Sequence, residues 1–206
     1  VSTNLNTLYT LTMPELPGVP AILLDDIITE IVRDFCTQTQ CWQEDLTAID
    51  VVADQADYTL TAPANTEIIT PTYVKLNDTE IFPGDEEDDD TNTYWLKRDK
   101  VTLTLQSTPT AAATGGLEVR VAVRPTAAAT SIAGTNGDRM FSEWRRAWAS
   151  GIKARLMEMP KKGWSNVAQA KYYADHYWEE VCRARSENAL ERMNKNLQAK
   201  AKWTFA

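Results

Sequence analysis

The chain has 206 residues, of which 43% are apolar, and it contains seven tryptophans, enough for one substantial core or two small ones. A formal charge of −8 speaks against a dedicated nucleic-acid-binding domain, which normally carries a basic excess. No apolar run approaches the ~20 residues of a membrane span. The charge is unevenly divided. Residues 138–206 carry 14 Lys/Arg against 8 Asp/Glu, and residues 1–137 carry 7 against 21. Two segments of opposite sign permit contact within a subunit or between neighbours, or are two solvated surfaces that differ.

Val1 to Met13 is polar and lacks a clear period, so residues 1–19 are expected to form an N-terminal arm. It has neither the charged start nor the apolar core of a signal peptide. Three cysteines, Cys36, Cys41 and Cys182, have no C-x-x-C spacing. They are expected to be small buried hydrophobes in a reducing compartment. The expectation is a soluble protein made inside the cell.

Pro14 to Pro20 punctuates the chain, and Pro20 suits the first turn of a helix. In the helix that follows, Leu23, Leu24, Ile27, Ile28, Ile31, Val32, Phe35 and Cys36 recur as adjacent pairs every four residues, forming one broad apolar stripe. Asp25, Asp26, Thr29, Glu30, Arg33 and Asp34 take the other side, where paired carboxylates form a solvated face. From Trp42 to Arg124 the period changes to two. Short strands are predicted around Tyr58, Glu67–Leu76, Glu80–Phe82, Tyr94–Lys97, Val101–Leu105 and Leu117–Val123. Pro71 requires an edge or a break in its strand. Connectors 107–116 and 125–137 are rich in small residues and read as surface loops.

Asp138 is a candidate N-cap for the next helix, in which Phe141, Trp144, Trp148, Ile152, Leu156 and Met159 share a face. Pro160-Lys161-Lys162-Gly163 breaks it, with Gly163 available for a left-handed cap. A second helix starts at Ser165 or Asn166. Its face is Val167, Ala170, Ala174, Tyr177, Val181, Ala184 and Asn188. Two helices so closely joined form an antiparallel hairpin. The predicted fold class is α+β, with a helical layer and an inserted antiparallel β domain. Its parts are an N-terminal arm (1–19), a helical bundle (20–41 and 138–196), the β domain (42–137) and a C-terminal tail (197–206).

Chemistry-bearing patterns are scarce. The acidic run 85–90 lacks the ligand alternation and central glycine of an EF-hand, and reads as a solvated hairpin tip. His176 is the only histidine, which excludes a multi-histidine metal site in a single chain. There is no G-x-S-x-G, no phosphate-binding loop and no dinucleotide fingerprint. No catalytic, cofactor or metal site is predicted. What remains is surface. Arg145, Arg146, Lys153, Arg155, Lys161, Lys162 and Trp164 are basic and aromatic. The cluster of Trp144, Trp148, Tyr172, Tyr173, Tyr177 and Trp178 exceeds what one stripe needs, so part of it is assigned to a subunit interface. The candidates there are Trp144, Trp148, Trp164, Tyr172, Trp178, Arg145 and Arg146.

Four stretches in order carry a resemblance: LLDDIITEIVRDFCTQTQCWQ (23–43), ADQADYTLTAP (53–63), VTLTLQSTPT with LEVRVAVRPT (101–110 and 117–126), and the hairpin from Phe141 to Arg185. Together they resemble the head-to-tail adaptor (connector) proteins of tailed bacteriophages, the group that includes tail tubular protein A of short-tailed phages. The resemblance implies a non-enzymatic virion part at the head-tail junction, assembled in the host cytoplasm. It implies a homo-oligomeric ring, usually of twelve copies, that lines the DNA channel beneath the portal and gives the tail or nozzle protein its docking platform. Genomic DNA would pass through without sequence-specific binding, and no membrane would be involved. By the same analogy Lys200, Lys202, Trp203 and Phe205 would contact the portal. The alternatives are a nucleic-acid-binding protein using the basic hairpin and another tail completion or terminator protein.

Overall fold

A computed structural model describes residues 2–85 and 92–201, with the side chains of 2, 135 and 191–201 outside the description. The chain is α+β and forms two compact units, one made of Val1–Cys41 with Ala127–Ala206 and the other of Trp42–Thr126.

The first unit begins with strand β1 (Ser2–Asn4), a 3-10 turn at Leu5–Leu8, the short helix α1 (Tyr9–Thr12) and a second 3-10 turn at Met13–Glu15. This segment is not an extended arm. Leu5, Leu8 and Leu16 are buried, and β1 pairs antiparallel with strand β10 (Ser131–Ala133). Three leucines spaced for single turns bury their side chains without generating a helical period long enough to read. The pairing also corrects the reading of 125–137 as a surface loop, because Ile132 and Ala129 are buried there. It puts the unit boundary after Thr126, where residue 137 was expected.

Helix α2 (Ala21–Thr39) starts after Pro20 and ends on Gln40, whose left-handed φ of 52° lets its N–H reach Cys36 O at 2.9 Å. Leu24, Ile27, Ile28, Val32, Phe35 and Cys36 are its buried face. Helix α3 (Thr135–Met157) starts earlier than the Asp138 cap implied. Asp138 lies inside the first turn, where a carboxylate suits the positive end of the helix dipole, and it accepts a 2.5 Å hydrogen bond from the Thr3 hydroxyl. Helix α4 (Val167–Ala201) has 35 residues, about 50 Å at ~1.5 Å per residue. Asn166 caps it, accepting from Gln169 N–H at 3.1 Å. In the α3–α4 connection the left-handed residue is Lys161 (φ 59°), not Gly163. Ser165 holds this turn by accepting from Lys162 N–H at 2.9 Å and donating to the Met159 carbonyl. The helical backbone continues past residue 197, so the expected tail begins inside α4. Residues 202–206 lie outside the described residues.

In the second unit, eight strands among the described residues form one mixed sheet: β2 (Gln43–Asp45), β3 (Ile49–Val51), β4 (Asp57–Thr59), β5 (Thr66–Leu76), β6 (Thr79–Pro83), β7 (Thr93–Leu96), β8 (Thr102–Leu105) and β9 (Ala113–Pro125). The order is β2-β9-β5-β6-β7-β8-β4, with β3 also on β9. All pairs are antiparallel except β6 with β7. Leu117, Val119, Val121 and Val123 point into the core along with Leu103, Leu105 and Tyr58. Pro71 is tolerated because β6 pairs with β5 only from Val74 onward, while register shifts flank the proline on the β9 side. Val101 is exposed, against its expected place in the alternation. Asp99 accepts from Val101 N–H and Thr102 N–H, both at 2.9 Å, turning the chain before β8 begins. Most of the acidic run, residues 86–90, lies outside the described residues.

Candidate interaction surface

Two of the proposed interface residues are core. Phe35 on α2 packs tilted against Trp144 (ring centroids 5.5 Å) and edge-on against Trp148 (6.0 Å), and Phe141 meets Trp148 at 5.6 Å. Trp148 has 0% exposure. Arg183 covers the remaining face of Trp144 at 4.7 Å and is itself held by Glu180 at 2.7 Å. An aromatic closed in this way has no surface to offer a second subunit. The two residues belong to the face that α2 requires, which is why they share a heptad-like spacing with Phe141 and Ile152.

The other candidates are on the surface. Tyr172 is 63% exposed and Trp178 51%, and Arg145 and Arg146 are exposed without an ion pair among the described residues. Trp164 is half-buried in the α3–α4 connection. Arg185 lies 5.3 Å over the Trp178 ring and donates to Gln38 O at 3.0 Å, tying α4 to the end of α2. Lys153, expected among the exposed basic residues, is buried. It pairs with Glu15 at 2.6 Å and sits 5.0 Å from the Tyr173 ring. The hydrogen bonds from Lys153 and from the Tyr173 hydroxyl hold the Glu15 carboxyl below its usual range. The same contact, with burial, pushes Tyr173 up to about 12. Lys200 lies among the residues without described side chains, and Lys202, Trp203 and Phe205 lie outside the described residues.

Val167 and Ala174, read as part of α4's buried face, are exposed, Val167 at 74%. They line an open groove of about 420 Å³ bounded by Ile31 of α2, Ala154 of α3, and Ala170, Tyr177 and Trp178 of α4. Its floor is set by Gly151. A Cβ built there would stand 2.9 Å from both Ile31 Cγ2 and Tyr177 Cδ2, so glycine lets the three helices approach this closely. Arg155, Glu158 and Lys171 form the polar rim. Tyr177 closes one wall. Burial, then the nearby Asp34 carboxylate at 3.4 Å, raises its hydroxyl above the ordinary tyrosine value. Sequence reasoning missed this groove. Its signal was the run of small residues at Gly151, Ala154, Ala170 and Ala174, which reads equally well as close packing without an opening.

Of the cysteines, Cys36 is buried, Cys41 half-buried and Cys182 exposed. Cys182 falls on the outer side of α4, correcting the expectation that all three are interior. A hydrogen bond with Cys41, then burial, raises the Cys36 thiol, and the same bond lowers Cys41. His176 Nδ1 is buried and has no hydrogen-bond partner among the described residues. No group of three or more His, Cys, Asp or Glu side chains among the described residues could hold a metal ion. The surface is equipped for binding through apolar contact and charge.

Comparison with curated proteins finds no match. The sequence matches the SU10 adaptor protein family across residues 3–199, nearly the whole chain. The second unit and nearly all of the first fall within that span, as do the groove and every surface candidate up to Trp178. The chain belongs to the SU10 adaptor protein family, a family of phage adaptors.

Proposed function

We propose that this protein is a structural, non-enzymatic head-to-tail adaptor of a tailed phage. It forms a ring of twelve copies under the portal, lines the DNA channel and supplies the platform on which the tail docks. In this reading the helical parts make the ring layer and the β domain is an insertion that faces outward or toward the tail. The arrangement is like that of tail tubular protein A of short-tailed phages. Family membership across residues 3–199 supports the adaptor role. The observation that carries an assembly function is the apolar groove with Tyr172 and Trp178 exposed beside it, on a unit whose own core is already closed by Trp144 and Trp148. Exposed aromatics and arginines are enriched at protein interfaces.

Trp164, Tyr172, Trp178, Arg145 and Arg146 are the lateral and docking contacts in this proposal. Lys200, Lys202, Trp203 and Phe205 contact the portal. The test is native mass spectrometry of the full chain alone and mixed with the portal protein encoded by the same genome. A portal-bound ring is expected, and deleting 202–206 should abolish it. A chain that ignores the portal, or a deletion that binds unchanged, would overturn the assignment. Binding to free duplex DNA with a steep salt dependence would indicate a nucleic-acid-binding protein instead.

A further inference from the structure

We propose that the groove is the socket of a head-to-tail contact between two copies of the chain, filled by Ile22 of the next copy with Asp25 and Asp26 beside it. This rests on the adaptor reading and specifies the lateral contact of its ring.

Ile22 is an unusual residue to leave in water. It is 75% exposed on the first turn of α2, while the rest of the helix's large aliphatic side chains are covered or half-covered. Two carboxylates flank it. Asp25 accepts from the Tyr9 hydroxyl at 2.5 Å, and Asp26 has no ion pair among the described residues. The groove offers the complement. Its interior is Ile31, Ala154, Ala170, Ala174 and the faces of Tyr177 and Trp178. On its rim Lys171 has no ion pair among the described residues, and Arg155 is held only by a 3.5 Å contact to Glu30. Lys161 and Lys162 are exposed in the adjoining turn. Glu158 lines the groove, Glu30 stands against Arg155 and Asp34 against Tyr177, so the positive charge free to face Asp26 is that of Lys171 with Lys161 and Lys162.

Helix geometry makes the pair directional. Ile22 and Ile31 are nine residues apart on α2, and at about 100° per residue they point to opposite sides of the helix. Plug and socket therefore face away from each other, and one copy can engage a neighbour on each side. A two-fold contact through the plug would set Asp26 against Asp26, whereas the directional contact sets Asp26 against Lys171. Such a heterologous contact closes into a ring or runs on as a filament.

The test uses full-length chain in a Cys182→Ser background. Ile22→Cys and Ala174→Cys are purified separately, then oxidised alone and mixed, with and without the portal. A disulfide-linked dimer is expected in the mixture and in neither protein alone. Ile22→Asp should weaken self-association at least tenfold, as loss of a buried aliphatic side chain requires. Asp26→Lys or Lys171→Glu should each weaken it about two- to fivefold at low salt, and their combination should recover it. All four positions are exposed, and thermal melting confirms that each variant is folded. Cross-linking within one variant alone, no cross-link in an oligomerising mixture, or no recovery in the double charge reversal overturns the contact. If wild type and Ile22→Asp assemble equally on the portal, only this contact falls. If wild type neither self-associates nor assembles on the portal, the adaptor reading falls with it.

Discussion

Gly151 gives the sharpest test of the helical packing. Gly151→Ala places a methyl group 2.9 Å from Ile31 Cγ2 and 2.9 Å from the Tyr177 ring, far inside contact distance. Ile31 is branched at Cβ, and the Tyr177 ring lies 6.1 Å from the Phe35 ring, which backs it. Neither neighbour can yield by a simple rotation. Overpacking of this kind costs about 1–3 kcal/mol, and the higher helix propensity of alanine returns about 1 kcal/mol. The expected net loss is about 1 kcal/mol, or a Tm lower by roughly 2–4 °C for a chain of this length. Gly151→Val adds an isopropyl group, two carbons more than alanine, with no propensity gain of that size and should lose about 2–4 kcal/mol. Gly163 is the control, because a Cβ there meets nothing within 4 Å and no left-handed φ is required. Gly163→Ala should be neutral or stabilising by about 0.4–1 kcal/mol. The assay is urea unfolding followed by tryptophan fluorescence, since Trp144 and Trp148 report on this packing directly. If Gly151→Ala stabilises the protein as much as Gly163→Ala does, the close approach of α2, α3 and α4 is refuted.

Four further outcomes follow from the packing and ionic contacts. Trp148→Ala should cost about 3–5 kcal/mol as a fully buried aromatic, whereas Trp178→Ala should stay within about 1 kcal/mol in chemical unfolding and act on assembly instead. Tyr9 and Tyr173 are both raised from 10.0 to about 12, Tyr9 by burial and then Asp25, Tyr173 by the bond to Glu15 and then burial. A raised folded value means that this stabilisation is complete below pH 10 and is lost as pH rises toward 12. Thermal melts between pH 8 and 11.5 should show the decline, and the Tyr9→Phe/Tyr173→Phe double variant should flatten it. Glu15 is lowered, so its contribution is present above the ordinary carboxylate value and is lost as pH falls through the folded one. Lys153→Met should reduce that acid sensitivity. Finally, a disulfide-exchange reagent should modify Cys182 rapidly and Cys36 only on unfolding, and Cys182→Ser should remove the fast phase.

The sequence by itself determined the parts that depend on local periodicity. The stripe of α2, the α3–α4 hairpin with its second helix starting at Ser165 or Asn166, and the alternation of Leu117 to Val123 all follow from which positions must leave water. The order of motifs was also enough to point to the phage adaptors. Pattern could not read contacts whose partners are distant in the chain. Ile132 is buried because β10 pairs with β1, about 130 residues earlier, and neither three-residue strand has a period of its own. Lys153 looked like surface because its partner Glu15 lies 138 residues away. Trp144 and Trp178 occupy the same kind of amphipathic helix, yet Phe35 and Arg183 cover the first while the second stays open. Val167 and Ala174 continue a perfect helical stripe beyond the point where α2 supports it. Periodicity tells which side of a helix is apolar, whereas only the placement of neighbouring helices decides where along that side the cover ends and a groove begins.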